Sequence, residues 1–182
     1  MDFRPLATAD LPMLADWLGR PHVMRWWREA ADLAAVEAAY GPLIDGSDPT
    51  EGFICVLEGL PLGFIQRYRL DDYPEWQRAV DVGVGQILGA GIDYLIGDES
   101  MTGRGLGRQM ISRFVDDSWA RYPDIAAVVV DVLQDNRASW RALEAAGFRR
   151  AWEGTLDSDD PSDQGLSYLY VKPRSPTAEG LR

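Results

Sequence analysis

The sequence predicts a single-domain α/β (α+β) protein, a mixed sheet with helices on its faces, and three observations carry that prediction. Short apolar runs alternate with longer segments of helical period, in the order β, α, α, β, β, β, α, β, α, β, β. An apolar strand at 92–96 leads through three alternating glycines, Gly103, Gly105 and Gly107, into an amphipathic helix at 105–122. A continuous apolar run at 126–133 has the character of a strand buried on both faces.

The elements follow in order. Residues 3–6 form a short first strand, and Thr8-Ala9-Asp10 offers cap chemistry before Leu11, Leu14, Trp17 and Leu18 of a first helix. Gly19-Arg20-Pro21 breaks that helix, and residues 22–27 lead to a second one around 30–40 that ends before Gly41-Pro42. A turn-rich loop spans 45–51. Residues 53–58 and 62–70, joined by Gly59-Leu60-Pro61, make a hairpin. Residues 71–84 have the composition of a loop. Beyond the strand at 126–133 a helix at 136–146 closes on Gly147, placed for a left-handed C-cap. Residues 151–156 and 166–171 pair as a closing hairpin across an acidic loop at 157–164, which reads as solvated surface. Residues 1–173 thus form one domain, and 174–182 a frayed tail.

Composition narrows the function. The chain of 182 residues is 46% hydrophobic and 26% charged, and no apolar run approaches the roughly 20 residues of a membrane span. The N-terminus lacks a secretory pattern, so a cytoplasmic location is expected. A net charge of −11 argues against nucleic acid and suits a cationic small-molecule partner. Cys55 stands alone in an apolar run and His22 is the one histidine, so neither a disulfide framework nor a metal centre is expected. Either a monomer or a homodimer is compatible with the sequence.

The glycine turn is the strongest local signal. Side-chain-free backbone at a helix start lets N–H groups converge on phosphate oxygens at the positive end of the helix dipole. The spacing is neither a dinucleotide fingerprint nor a triphosphate P-loop. Arg104 and Arg108 place positive charge where a helix ordinarily prefers a carboxylate, which points to an anion docked there.

The turn Thr102-Gly103-Arg104-Gly105-Leu106-Gly107 and the later Asn136 with Glu144-Ala145-Ala146-Gly147-Phe148 resemble the acetyl-coenzyme A binding region of the GNAT acyltransferase superfamily. A closer likeness is to aminoglycoside 6'-N-acetyltransferases. It is carried by the stretch from Trp17 to Trp27, by Gly63-Phe64-Ile65-Gln66-Arg67-Tyr68, by Gly91-Ile92-Asp93 and by Asp131. The resemblance implies a GNAT-like, mostly antiparallel sheet flanked by helices. It also implies acetyl-CoA as co-substrate, gripped by Thr102, Gly103, Arg104, Gly105, Leu106, Gly107, Arg108 and Asn136. Thr102 departs from the Gln or Arg of many members, which leaves the backbone contacts intact. Backbone N–H groups of Leu95 and Ile96, at an expected bulge of the central strand, would polarise the thioester carbonyl.

The implied reaction is transfer of acetyl to a primary amine of an aminoglycoside, at the 6'-amine, by direct attack in a ternary complex. Asp93 would be the base, since an aspartate inside an apolar strand is costly without a role. Asp131, Asp72, Tyr68, Trp26 and Trp27, together with Asp93, would contact the acceptor. The family's helix tyrosine is replaced by Leu143, so Tyr168, Tyr170, Tyr68 or water would serve as acid, with Tyr168 the assigned candidate. Two alternatives remain open at this point. One is acetylation of another amine, such as a protein N-terminus, a polyamine or a siderophore precursor; the other is a coenzyme A binding module without turnover.

Overall fold

The computed structural model describes residues 1–158 and 160–175, so most of the expected tail lies outside the described residues. Seven strands form one sheet in the order β1-β2-β3-β4-β5-β7-β6. They are β1 (Asp2–Pro5), β2 (Glu51–Leu57), β3 (Leu60–Arg69), β4 (Gly89–Ile96), β5 (Ala127–Leu133), β6 (Arg149–Gly154) and β7 (Ser167–Pro173). The helices are α1 (Leu11–Leu18), α2 (Pro21–Trp27), α3 (Leu33–Asp45), α4 (Pro74–Val84), α5 (Leu106–Arg121) and α6 (Arg137–Ala145). Every neighbouring strand pair is antiparallel except β4 and β5, which run parallel.

That parallel pair creates the site. β4 and β5 are in register only over Gly89↔Ala127, Ala90↔Val128 and Gly91↔Val129. Beyond it the two strands part, and a cleft opens in the middle of the sheet. Asp93 and Asp131 each lie two residues past the last paired position, so the two-residue alternation of strand side chains puts both on one face.

Apolar residues cover both faces of the sheet. On one, α5 and α6 pack Met110, Ile111, Phe114, Val115 and Leu143 against Ile65, Ile92, Val128, Val130 and Tyr170. On the other, α1 to α3 bury Leu14, Trp17, Val36 and Tyr40 over Ile54, Phe64 and Leu95, while Val80 of α4 joins Leu70, Val129 and Leu169. The second face therefore carries two apolar clusters, and the polar residues Gln66, Asp93 and Asp131 lie on it. Among the described residues no helix is long and apolar enough to cross a membrane.

Local chemistry redraws several expected boundaries. α3 does not stop at Gly41-Pro42 but runs through it. Pro42 withholds an N–H from the carbonyl of Ala38, which is exposed and can bond water instead. The helix ends at Gly46, whose φ of +80° supplies the left-handed cap. The hairpin turns on Glu58 and Gly59, at φ +52° and +82°, and Pro61 lies inside β3 beside an irregularity opposite Cys55 and Val56. Residues 71–84, expected to be a loop, hold α4, started by Pro74 at its first turn. Residues 22–27 belong to a helix of their own, α2. The expected bulge in the central strand is absent, because β3 and β4 keep unbroken register from Gly63↔Ile96 to Arg69↔Ala90.

Candidate active site

A cavity of about 500 Å³ occupies the cleft between β4 and β5. Six carboxylates line it, Glu29, Asp48, Asp93, Asp131, Asp160 and Asp163, and no lysine or arginine does so among the described residues. Aromatic side chains make much of the remaining wall. Trp26 and Trp27 come from the end of α2, Tyr68 from β3 and Trp76 from α4. A cavity so acidic and so aromatic suits a polycation with apolar ring faces.

Asp93 stands at its centre. Gln66, its cross-strand partner in β3, donates Nε2–H to Asp93 Oδ2 at 2.9 Å. Desolvation, opposed by that hydrogen bond and reinforced by Asp163, Asp160 and Glu29, pushes the Asp93 carboxyl up to about 7. Asp131 is also driven well above the usual carboxylate range, by burial first and then by the charges of Asp163 and Asp93. Burial likewise raises Glu29, although its Oε2 accepts from Tyr40 Oη at 2.8 Å. Trp27 Nε1–H donates to the same Tyr40 oxygen at 3.0 Å, which ties the Trp27 ring into the apolar layer while one side still faces the cavity. Trp26 carries the Arg25 guanidinium over its ring, at 5.6 Å from the centroid.

The acidic loop is not the solvated surface expected of it. Arg28 stands in the left-handed region at φ +55°, and its Nη1 donates to the carbonyls of Pro161 and Gln164, at 2.9 Å each. Ser162 Oγ bonds the Trp27 carbonyl. These ties turn Asp160 and Asp163 into the cavity, and burial raises the Asp163 carboxyl as well. A polar run of this composition reads as a surface loop in sequence, and the arginine that holds it lies far away in the chain.

Several expected residues fall elsewhere. Asp72 is exposed in a 3-10 turn before α4 and does not line the cavity; Asp48, held by Tyr73 Oη at 2.6 Å, contributes the carboxylate on that side. Tyr168 lies outside the cavity lining, with the Arg150 guanidinium over its ring at 3.6 Å, because alternation along β7 turns it to the α5 and α6 face. Tyr170 is fully buried and donates to Glu144 at 2.8 Å. Leu143 is core.

The region expected to hold the acetyl donor borders the same cleft. Gly103 and Gly105 take φ +70° and +77°, with open space where a Cβ would project, so the turn leaves its backbone uncovered. Gly105 caps α5 with no side chain over the first N–H groups, while Thr102 Oγ1 donates to the Glu99 carbonyl. Leu106 and Gly107 follow in the first turn, and Arg104 and Arg108 are exposed beside it. These residues fit an anionic pyrophosphate. Asn136 caps α6 by accepting from Ser139 N–H at 3.3 Å, and both residues line the cavity. Of the two amides expected to polarise a carbonyl, Leu95 is turned to β3, since its carbonyl lies against Gly63. Backbone alternation turns Ile96 toward the cleft, and its carbonyl accepts from His22 Nε2 at 3.0 Å.

Fold and cleft together define an acyltransferase of acetyl-coenzyme A type. The profile of the acetyltransferase (GNAT) domain matches residues 7–156, and the chain belongs to that family. It is 32% identical over 162 residues to an aminoglycoside N(6')-acetyltransferase type 1 of Klebsiella pneumoniae, covering 86% of this chain and 77% of that protein. The solved structure of AAC(6')-Ib with paromomycin and acetyl-CoA superposes with a TM-score of 0.79 at 29% identity, over 94% of this chain and 92% of the other. The same enzyme with coenzyme A and kanamycin gives 0.78 at 28% identity, over 94% of each.

Proposed function

We propose that this protein transfers acetyl from acetyl-CoA to a primary amine of an aminoglycoside, the 6'-amine, inside a ternary complex in the cytoplasm. The observation that carries the reading is the cavity itself: five further carboxylates, aromatic walls and, among the described residues, no opposing cation around Asp93. The similarity to aminoglycoside acetyltransferases solved with kanamycin and paromomycin supports the choice of acceptor over other amines. Bound acetyl-CoA supplies an activated thioester.

The chain's own residues do the rest. Asp131, Asp163 and Glu29 hold the acceptor's ammonium groups against the aromatic walls. Asp93, with a carboxyl raised to about 7, takes the proton from the reacting ammonium near neutral pH, which frees the nitrogen lone pair to attack the carbonyl carbon. Gln66 fixes the orientation of that carboxylate. The N–H of Ile96 and the walls of the cleft position the carbonyl, and water is excluded as the acceptor fills the cavity.

Thiol release from acetyl-CoA against aminoglycosides, polyamines and peptides tests the reading. Turnover of kanamycin-like compounds, lost by at least about 100-fold in Asp93→Asn, is the expected result. Turnover of peptides or polyamines alone would overturn it.

A further inference from the structure

The cleft has two sides, and the proposed chemistry occupies one of them. Asp93, Gln66 and Asp131 face the acceptor cavity. Tyr94, the next residue along β4, points to the opposite face, where it packs against the α5 and α6 layer yet still lines the opening. Its hydroxyl lies 2.7 Å from Ser139 Oγ, on the first turn of α6. On that side the cavity is lined by three protic side chains among the described residues, Tyr94, Asn136 and Ser139, and Asn136 is engaged as the cap of α6. The other candidate tyrosines are placed unsuitably for donating a proton there. Tyr168 lies beneath Arg150, Tyr170 is buried against Glu144, and Tyr68 faces the acceptor side with Gly91 against its ring.

Acetyl transfer moves protons on two sides of one carbonyl. The nitrogen loses one, and the departing sulfur leaves more readily if a donor stands beside it. Adjacent residues of a strand point to opposite faces, so Asp93 and Tyr94 address the two sides from consecutive positions. We infer that Tyr94, steadied by Ser139, is the proton donor to the leaving thiolate of coenzyme A. As the carbon–sulfur bond breaks, the electron pair goes to sulfur and the Tyr94 phenolic proton follows it. In the same step the Tyr94 oxygen takes a proton from solvent through the Ser139 hydroxyl, so that no buried phenolate forms. Burial raises the Tyr94 hydroxyl above its ordinary value, so it stays protonated throughout the working range. This inference rests on the acetyl transfer proposed above.

Tyr94→Phe removes one oxygen and keeps the ring, and Ser139→Ala serves as the companion variant. The expected result is a fall in kcat of about 100-fold for Tyr94→Phe and a smaller one for Ser139→Ala, with acceptor KM unchanged in both. A binding measurement needs no turnover: calorimetry of coenzyme A against its desulfo analogue across pH. In the parent protein coenzyme A should gain affinity over the analogue as pH rises through the thiol range, and Tyr94→Phe should lose that gain. A Tyr94→Phe variant within threefold of the parent in kcat, or one that retains the thiol-dependent gain, would overturn the inference and leave acetyl transfer standing. Absence of turnover on every amine in the parent protein would instead sink the underlying reaction.

Discussion

Asp93→Asn should make the ligand-free protein more stable at pH 8, and the size of the gain follows from the cavity. The Asp93 carboxyl is pushed up to about 7 in the folded chain against 3.8 for the free side chain. Between those values the folded state holds a proton that the unfolded chain has released, so stability falls as pH rises from about 4 to 7. At about 1.4 kcal/mol per pH unit the loss comes to a little over ~4 kcal/mol, an upper bound because part of the strain relaxes when water enters. Asparagine keeps the shape and can still accept from Gln66 but carries no charge, so it should recover most of that loss at pH 8 and little at pH 4. Carboxylates held low by partners, such as Asp10 beside Arg4 and Asp124 beside Arg69, act in the opposite sense, but they complete their titration in the acid range below that window. Urea denaturation of both forms at pH 5, 6, 7 and 8 reads the effect directly. Parallel curves for the two forms, or a parent protein that gains stability from pH 5 to 8, would refute the reasoning.

Two further outcomes follow from single contacts. Gln66→Leu removes the donor 2.9 Å from Asp93; a hydrogen bond to a charged group contributes about 1.5–3 kcal/mol, so the acid limb of the kcat/KM profile should move up by about one to two pH units. Arg67 is 4% exposed and meets Glu51 and Asp117 at 2.6 Å each on the α5 side of β3, so Arg67→Ala should cost about 3 kcal/mol in chemical denaturation, with Asp117 able to turn to water. Its kcat at a permissive temperature should stay within a factor of two or three, since Arg67 does not line the cavity.

The parts of the fold that were legible in sequence are those whose cause is local. The glycine turn before α5 announces itself because Gly103 and Gly105 are needed at positive φ, and the cap at Gly147 for the same reason at φ +89°. α4 was missed because Pro74, Gly83, Gly85 and three valines argue against a helix, although Trp76, Ala79, Val80 and Val84 recur at helical spacing and Val80 packs with Leu70 and Leu169. Pro42 reads as a stop, yet a solvated carbonyl at Ala38 removes most of the penalty. In the cavity, Asp93 stood out as a charge in an apolar strand. Asp160 and Asp163 did not, because an arginine more than 130 residues away decides where their loop lies. Tyr94 was hidden by its residue type, since a tyrosine in a strand is ordinary and its meaning comes from Ser139 on another element.

The parting of β4 from β5 turns the sheet from a partition into an aperture. A body of any length can remain on either side of it, provided that one thin end reaches the gap. Acceptor and donor reach it from opposite faces, so neither must leave before the other enters. The dimension that such an opening restricts is the girth of the reacting end, so a primary amine on a short arm should pass more readily than a branched one. Enlarging a ring distant from the reacting amine should therefore be tolerated far better than adding one methyl beside it.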